Sequence, residues 1–319
     1  MPYALDAQLQ QALAARRPAA DAPPPQHPAR GDWKALRAGE SGLAALDDMK
    51  PEQPSDTRAN HHAVSPDGAE ILVRWYTPIG HDTSGAGPAV VFLHGGGMIS
   101  GSVELFDRLA ATYAADSGVP LLSIDYRRAP EHPHPTPVED GYAGLSWLAK
   151  HAGELGVDPA RIALLGESAG GGIAAGTALL ARDRGLPVAK QILVYPMLDD
   201  RNTEPDPALV PTATWNYDNN FTGWQALLGD AVGGPDVPGH AAPARAEDLS
   251  GLPPAYIEVG ELDIFRDEDV AYARRLAATG TSVELHVHPG CPHAFDHLAP
   301  QIDVVRRAWA DRLRVLTSF

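Results

Sequence analysis

Ser168 lies in the pentapeptide Gly166-Glu167-Ser168-Ala169-Gly170, directly behind the apolar run Arg161-Ile162-Ala163-Leu164-Leu165 and ahead of an Ala/Gly-rich helical segment. A serine in a Gly-x-Ser-x-Gly frame between a buried strand and a helix has the sequence form of a nucleophile elbow. The turn is so sharp that the positions two before and two after the serine have room for almost no side chain. Gly166 and Gly170 meet that demand and tolerate unusual backbone angles. The hydroxyl is then lifted clear of the sheet at a helix N-terminus, whose free amides favour developing negative charge. The chemistry this suggests is nucleophilic attack on an acyl carbon.

A serine of this kind needs a base, the base needs an orienting acid, and the oxyanion needs donors. In a sheet where the nucleophile sits after a central strand, the partners follow in the order acid, then histidine, on loops after later strands. Asp263 sits a few residues past the strand candidate Ala255–Val259 and is the preferred acid over Glu261 and Asp267. Asp267 is better placed to open the next helix, where a carboxylate complements the dipole. After the strand candidate Val283–Val287, His293 lies in a loop from which an imidazole can reach over Ser168. Upstream, the strand candidate Ala89–Leu93 runs into His94-Gly95-Gly96-Gly97. Consecutive glycines let the backbone approach a ligand with its amides exposed, which suits one half of an oxyanion hole, the Ala169 amide supplying the other. Each such donor is worth roughly 3–4 kcal/mol in the barrier. His94 is expected to anchor this loop by hydrogen bonding, without acting as a base.

The elements that must hold these residues alternate. Arg58–Val64 and Ile71–Thr77 flank Pro66-Asp67-Gly68, whose turn chemistry suits a hairpin. Further strand candidates are Leu121–Asp125, Arg161–Leu165 and Gln191–Tyr195. Helical candidates between the strands are Phe106–Ser117, Val138–Leu155, Ser168–Arg184 and Asp267–Thr279. A last helix, Gln301–Thr317, is read with Ile302, Val305, Trp309, Leu313 and Leu316 on its apolar side. About eight strands, mostly parallel and flanked by helices, follow from this α/β alternation. The chain reads as one domain over 1–319, with a catalytic core over 55–199 and 246–319. A helical cap is expected from 1–50, where residues 1–20 and Asp32–Leu46 are helix candidates, and from 200–245. The second of these is a long insert rich in Pro, Asp, Asn and aromatics, placed over the carboxyl edge of the sheet where open α/β sheets bind ligands. Its Trp215, Tyr217 and Phe221, with Met98 and Glu167, are candidates for the substrate pocket.

Several motifs together resemble one family. His94-Gly95-Gly96-Gly97, the stretch Asp125-Tyr126-Arg127-Arg128-Ala129-Pro130-Glu131-His132-Pro133, Gly166–Gly170, Tyr195-Pro196, and Asp263 followed by Arg266-Asp267-Glu268 are similar to the hormone-sensitive-lipase family of α/β-hydrolases, the bacterial family IV esterases. The matches span about residues 70–300. The resemblance implies an α/β-hydrolase fold with an N-terminal cap, hydrolysis of short-to-medium-chain carboxylic esters, no cofactor, and a homodimer through the edge strand 283–287. It also implies that the amides of Gly96, Gly97 and Ala169 form the oxyanion hole, with His94, Gly95, Gly166 and Gly170 in support. Arg128 departs from the usual apolar residue of its motif, and Ile264-Phe265 stand where Pro-Leu is common. The same Ser-Asp-His set would serve an amidase or acyltransferase, and a non-catalytic ligand-binding receptor on this fold is the remaining alternative.

Composition limits the partners. The net charge of -16 and pI near 5.1 leave no basic stripe for nucleic acid or an anionic membrane. No apolar run approaches the roughly 18 residues that span a bilayer. The first thirty residues have no leader-like apolar block, so a cytoplasmic protein is expected. The single cysteine, Cys291, excludes an intrachain disulfide. It is read either as a small buried hydrophobe or as a thiol near enough to His293 for a reagent to block the site. His286, His288, Cys291, His293 and His297 offer metal-like spacings, but no Cys pair or His-Glu-x-x-His accompanies them, and no metal is expected.

Overall fold

The computed structural model describes residues 3–15, 28–39, 57–81 and 85–319. Eight strands form one sheet: β1 (Thr57–Val64), β2 (Glu70–Thr77), β3 (Gly87–Leu93), β4 (Leu121–Ile124), β5 (Val157–Glu167), β6 (Lys190–Val194), β7 (Ala255–Gly260) and β8 (Val283–His288). Their order is β1-β2-β4-β3-β5-β6-β7-β8. Only β2 runs against its neighbours. The β1–β2 pair closes as a hairpin at Pro66-Asp67-Gly68, with the Ser65 amide donating to the Ala69 carbonyl. From β4 to β8 the sheet is parallel, the arrangement that alternating strands and helices dictate.

The central strands are short continuous apolar runs because they are covered on both faces. Ala89 to Leu93 and Ile162 to Leu165 are almost wholly removed from water. Numbering the described helices α1 (Ala7–Ala15) and α2 (Trp33–Ala38) before β1, the crossovers are α3 (Asp107–Ser117), α4 (Thr136–His151), α5 (Ala169–Asp183), α6 (Tyr217–Leu228) and α7 (Arg266–Ala278). The short α8 (Phe295–Leu298) and the final α9 (Asp303–Leu316) complete the chain. Helix α4 packs on α5, and α3 packs on α9.

Helix α9 buries more than its expected apolar stripe. Its buried face carries Val304, Val305, Ala308, Arg312, Val315 and Leu316, while Trp309 and Leu313 are half-buried. The expected Ile302, Val305 and Leu316 are buried and Trp309 and Leu313 pack against the core, and a fully buried arginine, Arg312, joins them. Carboxylates on the facing elements take its guanidinium, so the buried charge is compensated.

Two N-terminal helices dock near the carboxyl edge of the sheet. On α1, Leu9 is fully buried, and just before it the Asp6 amide donates to the Gly290 carbonyl at 2.9 Å. Helix α2 starts on Asp32, whose carboxylate accepts from the Ala35 amide, and packs against α6 of the insert. Arg37 then clamps α2 to the core through the carbonyls of Ile99 (2.6 Å) and Ala129 (2.8 Å) and a two-pronged pair with Glu131. The rest of the helical stretch to residue 20, and of the second helix candidate beyond Gly39, lies outside the described residues. Among the described residues no helix is long and apolar enough to cross a membrane.

The turn from β5 into α5 has no spare volume. A Cβ on Gly170 would lie 2.0 Å from the Leu93 carbonyl oxygen, and one on Gly166 2.1 Å from the Gly170 oxygen. Gly68, by contrast, has positive φ but open space around it. Gly170→Ala is therefore expected to cost more than about 3 kcal/mol. Gly68→Ala should cost only the backbone strain, about 1–2 kcal/mol. Urea titrations of the two variants check the contrast, and equal midpoints would refute it.

Candidate active site

Ser168 occupies the tip of that turn. Its backbone stands at φ 56° and ψ -123°, a strained conformation for a residue with a side chain, held because β5, α5 and the carbonyls of β3 fix both flanks. The hydroxyl Oγ lies 2.9 Å from His293 Nε2. His293 Nδ1 lies 2.7 Å from Asp263 Oδ2. The other Asp263 oxygen accepts the Phe265 amide at 3.0 Å, which fixes the carboxylate plane. All three side chains are buried. The imidazole is held edge-on between the rings of Tyr195 (4.8 Å) and Phe265 (5.0 Å). Thr214 donates its hydroxyl to the His293 carbonyl at 2.7 Å, tying the histidine loop to the insert. A hydroxyl, imidazole and carboxylate in series can pass a proton away from an attacking oxygen.

The glycine loop after β3 faces the same serine. Gly96 and Gly97 stand at φ 118° and 62°. A Cβ on Gly97 would fall 2.5 Å from the Trp215 ring, so the indole lies directly against this backbone. Among the described residues, neither the Gly96 nor the Gly97 amide has an internal acceptor. Ala169 opens α5, so its amide also lacks a partner within the helix. His94 is fully buried, with Nδ1 2.8 Å from the Gly95 oxygen and its ring stacked on Tyr126 at 4.2 Å. Burial pushes its imidazole down to about 4, so it remains neutral and braces the loop.

A cavity of about 410 Å³ opens onto Ser168 and His293. Its walls include Ala35 and Leu36 of α2, the Gly95–Gly97 loop, Phe106, Tyr195, Trp215, Asn219 and His297. Of the pocket candidates, Trp215 and Glu167 line it. Met98, Tyr217 and Phe221 do not. Met98 is buried against α5, Tyr217 is buried at the start of α6, and Phe221 lies under the Arg30 guanidinium at 4.0 Å. Aromatic composition marks the insert as a wall of the cavity; it does not say which ring faces inward. Thr214, Asn219 and His297 went unread as site residues, since only their place in space gives them one. A larger cavity, about 660 Å³, lies between the insert and α7 and contains none of these groups.

Glu167 is a wall residue whose carboxylate is already engaged. It accepts the Tyr113 hydroxyl at 2.7 Å and contacts His297 Nε2 at 3.2 Å. Burial opposes its ionisation, but His297 and the Arg312 charge outweigh that and hold it below the usual carboxylate range. The clustered histidines disperse to separate partners. His286 meets Glu284, His288 nears Glu258, His293 meets Asp263 and His297 meets Glu167. Cys291 is fully buried, and burial pushes its thiol up to about 12, which is the small-hydrophobe reading rather than the reagent-accessible one.

Residues 90–297 match the sequence family described as alpha/beta hydrolase fold. The chain is 39% identical over 291 residues to carboxylesterase NlhH of Mycobacterium tuberculosis, covering 87% of this chain and 88% of that one. It is 32% identical over 289 residues to an ethyl acetate hydrolase of Pseudomonas putida, covering 88% and 87%. Among solved structures, a bacterial heroin esterase superposes with a TM-score of 0.85 at 38% identity, covering 98% of this chain and 97% of that one. With the fold, the elbow and these similarities in hand, the chain belongs to the α/β-hydrolases, among the carboxylesterases of the hormone-sensitive-lipase family.

Proposed function

We propose that the chain hydrolyses carboxylic esters through an acyl-enzyme on Ser168, with His293 as base and Asp263 as its orienter. The observation that carries this reading is the unbroken series from Ser168 Oγ to His293 Nε2 (2.9 Å) and from His293 Nδ1 to Asp263 Oδ2 (2.7 Å). As Oγ attacks the ester carbonyl, His293 Nε2 takes its proton, and the carbonyl oxygen becomes an anion received by the amides of Gly96, Gly97 and Ala169. Collapse breaks the ester C–O bond, and the imidazolium gives its proton to the departing alcohol. Water then repeats the sequence: His293 takes its proton, its oxygen attacks the acyl carbon, and Ser168 is released with the acid. Asp263 holds the tautomer in which Nδ1 carries a proton and Nε2 is free to accept one. No cofactor enters this scheme.

The cavity supports esters with short to medium acyl chains. Trp215 against Gly97 and α2 overhead bound the space beside the serine. The similarity to a hydrolase named for ethyl acetate supports a small acyl group in the same way. The N-terminal helices and the insert are proposed to act together as the cap. We extend the reading to the assembly: β8 is a sheet edge with Leu285 and Val287 more than a third exposed, and two copies would pair along it.

Hydrolysis of p-nitrophenyl esters from acetate to laurate should be fastest for the short chains and fall by the longest. Ser168→Ala should lower kcat by about 10⁶-fold and Asp263→Asn by about 10⁴-fold, with both variants folded by circular dichroism. A Ser168→Ala enzyme that kept its rate would refute the nucleophile assignment, and faster turnover of a matched amide would favour amidase chemistry. In sedimentation, the wild type is expected as a dimer and the double variant Leu285→Lys, Val287→Lys as a monomer; a monomeric wild type ends the pairing proposal.

A further inference from the structure

The Ser168–His293–Asp263 series makes no use of a fully buried arginine close to it. Arg312 on α9 is fully removed from water. Its Nε and Nη2 donate to Glu258, and its Nη1 donates to Asp296 Oδ2 at 2.7 Å and to the Tyr113 hydroxyl at 3.0 Å. Tyr113, on α3, donates its hydroxyl to Glu167 Oε1 at 2.7 Å. Tyr195 donates its hydroxyl to Asp296 Oδ1 at 3.0 Å. The Tyr195 ring stands between the guanidinium, 5.9 Å from its centroid, and the His293 ring, 4.8 Å from it.

The three carboxylates belong to the three segments that carry the site. Glu167 is the residue before Ser168. Glu258 lies on β7, the strand that delivers Asp263. Asp296 is three residues past His293. One guanidinium therefore ties together the segments whose relative placement sets both short contacts. Burying a guanidinium is costly, and a hydrophobic side chain of similar volume would serve stability as well. The fork geometry adds what a hydrophobe cannot, several fixed donors in one plane. Three carboxylates about one cation also leave the cluster electronegative. Around it stand His297 against Glu167, His288 near Glu258 at 3.8 Å, the Tyr256 hydroxyl on Glu258, and the Trp309 ring beside the guanidinium at 5.9 Å. Burial opposes ionisation of Glu258 too, yet the Arg312 charge beside it keeps that carboxyl below its ordinary range.

We propose that Arg312 is a positioning residue for ester hydrolysis, acting through Glu167, Glu258, Asp296 and Tyr195 to hold Ser168 against His293 and to moderate the negative potential at the imidazole. The proposal rests on the Ser168–His293–Asp263 reading above. Removing the cation exposes His293 to uncompensated carboxylates, which favours the imidazolium. Since the reaction needs the neutral ring, the acid limb of the pH profile must move to higher pH. Lysine keeps the charge without the fork, so it should lose rate without moving that limb.

The experiment compares wild type, Arg312→Lys, Arg312→Met and Tyr113→Phe with p-nitrophenyl acetate from pH 5 to 9. Both Arg312 variants should lose roughly 10- to 100-fold in kcat with KM within about twofold, the scale of a misplaced reacting group. Only Arg312→Met should shift the acid limb upward. Tyr113→Phe cuts the link to Glu167 at a residue that does not itself line the cavity and should lose kcat without a change in KM, which keeps the test alive if Arg312→Met does not fold. Unchanged kcat in Tyr113→Phe and Arg312→Lys overturns the proposal. So does loss of activity in proportion to unfolded protein, with an unmoved profile in the folded fraction of Arg312→Met. A Ser168→Ala enzyme with wild-type rate would instead overturn the underlying reading, so the two failures are distinguishable.

Discussion

The contact on which the site depends is the approach of the α5 backbone to the end of β3. With 2.0 Å between a hypothetical Gly170 Cβ and the Leu93 oxygen, the first turn of α5 is pressed against the end of β3 without any side chain between them. That closeness brings the Ser168 hydroxyl and the Gly95–Gly97 backbone to one side of one cavity. It also explains the φ of 56° at Ser168: the helix cannot start elsewhere, so the serine absorbs the reversal. Strain of this sort, on the order of 1–3 kcal/mol, persists only when the surroundings over-determine it. Here the buried strands on both sides do so.

Everything else at the site is delivered by loops of unequal length onto that fixed point. Asp263 and His293 leave consecutive parallel strands, β7 and β8, so the sheet register already brings their loops side by side. The Leu262 amide, donating to the Cys291 carbonyl at 2.9 Å, stitches those two loops to each other. The insert and the N-terminal helices then close the space above, each through polar contacts to backbone: Thr214 to the His293 carbonyl, Arg37 to the carbonyls of Ile99 and Ala129. Rigid sheet below and polar-latched cover above are separate structural tasks, assigned to separate parts of the chain.

That division decides what could be read from sequence. All eight strands were legible, the first two from the turn chemistry at Pro66-Asp67-Gly68 and the others from short, largely apolar runs alternating with helices. Ser168, Asp263 and His293, which the structure joins in one hydrogen-bonded series, were legible because each sits at a fixed offset from a strand end. The cover was not. Met98, Tyr217 and Phe221 have the right chemistry for a pocket wall, yet their direction depends on tertiary packing that no period encodes. Arg312 carried no signal for the same reason. A helix face is assigned by its apolar members, and a buried arginine is visible only once Glu258, Asp296 and Tyr113 converge from three distant segments.

The lone cysteine has a practical consequence. Cys291 is fully buried, its thiol held protonated and its Sγ turned to the Pro289 carbonyl at 3.5 Å. The native chain thus presents a silent background to maleimides and similar electrophiles. A cysteine placed at an exposed position such as Val64 would be the single reactive group, so a fluorophore or spin label can be attached without first deleting anything.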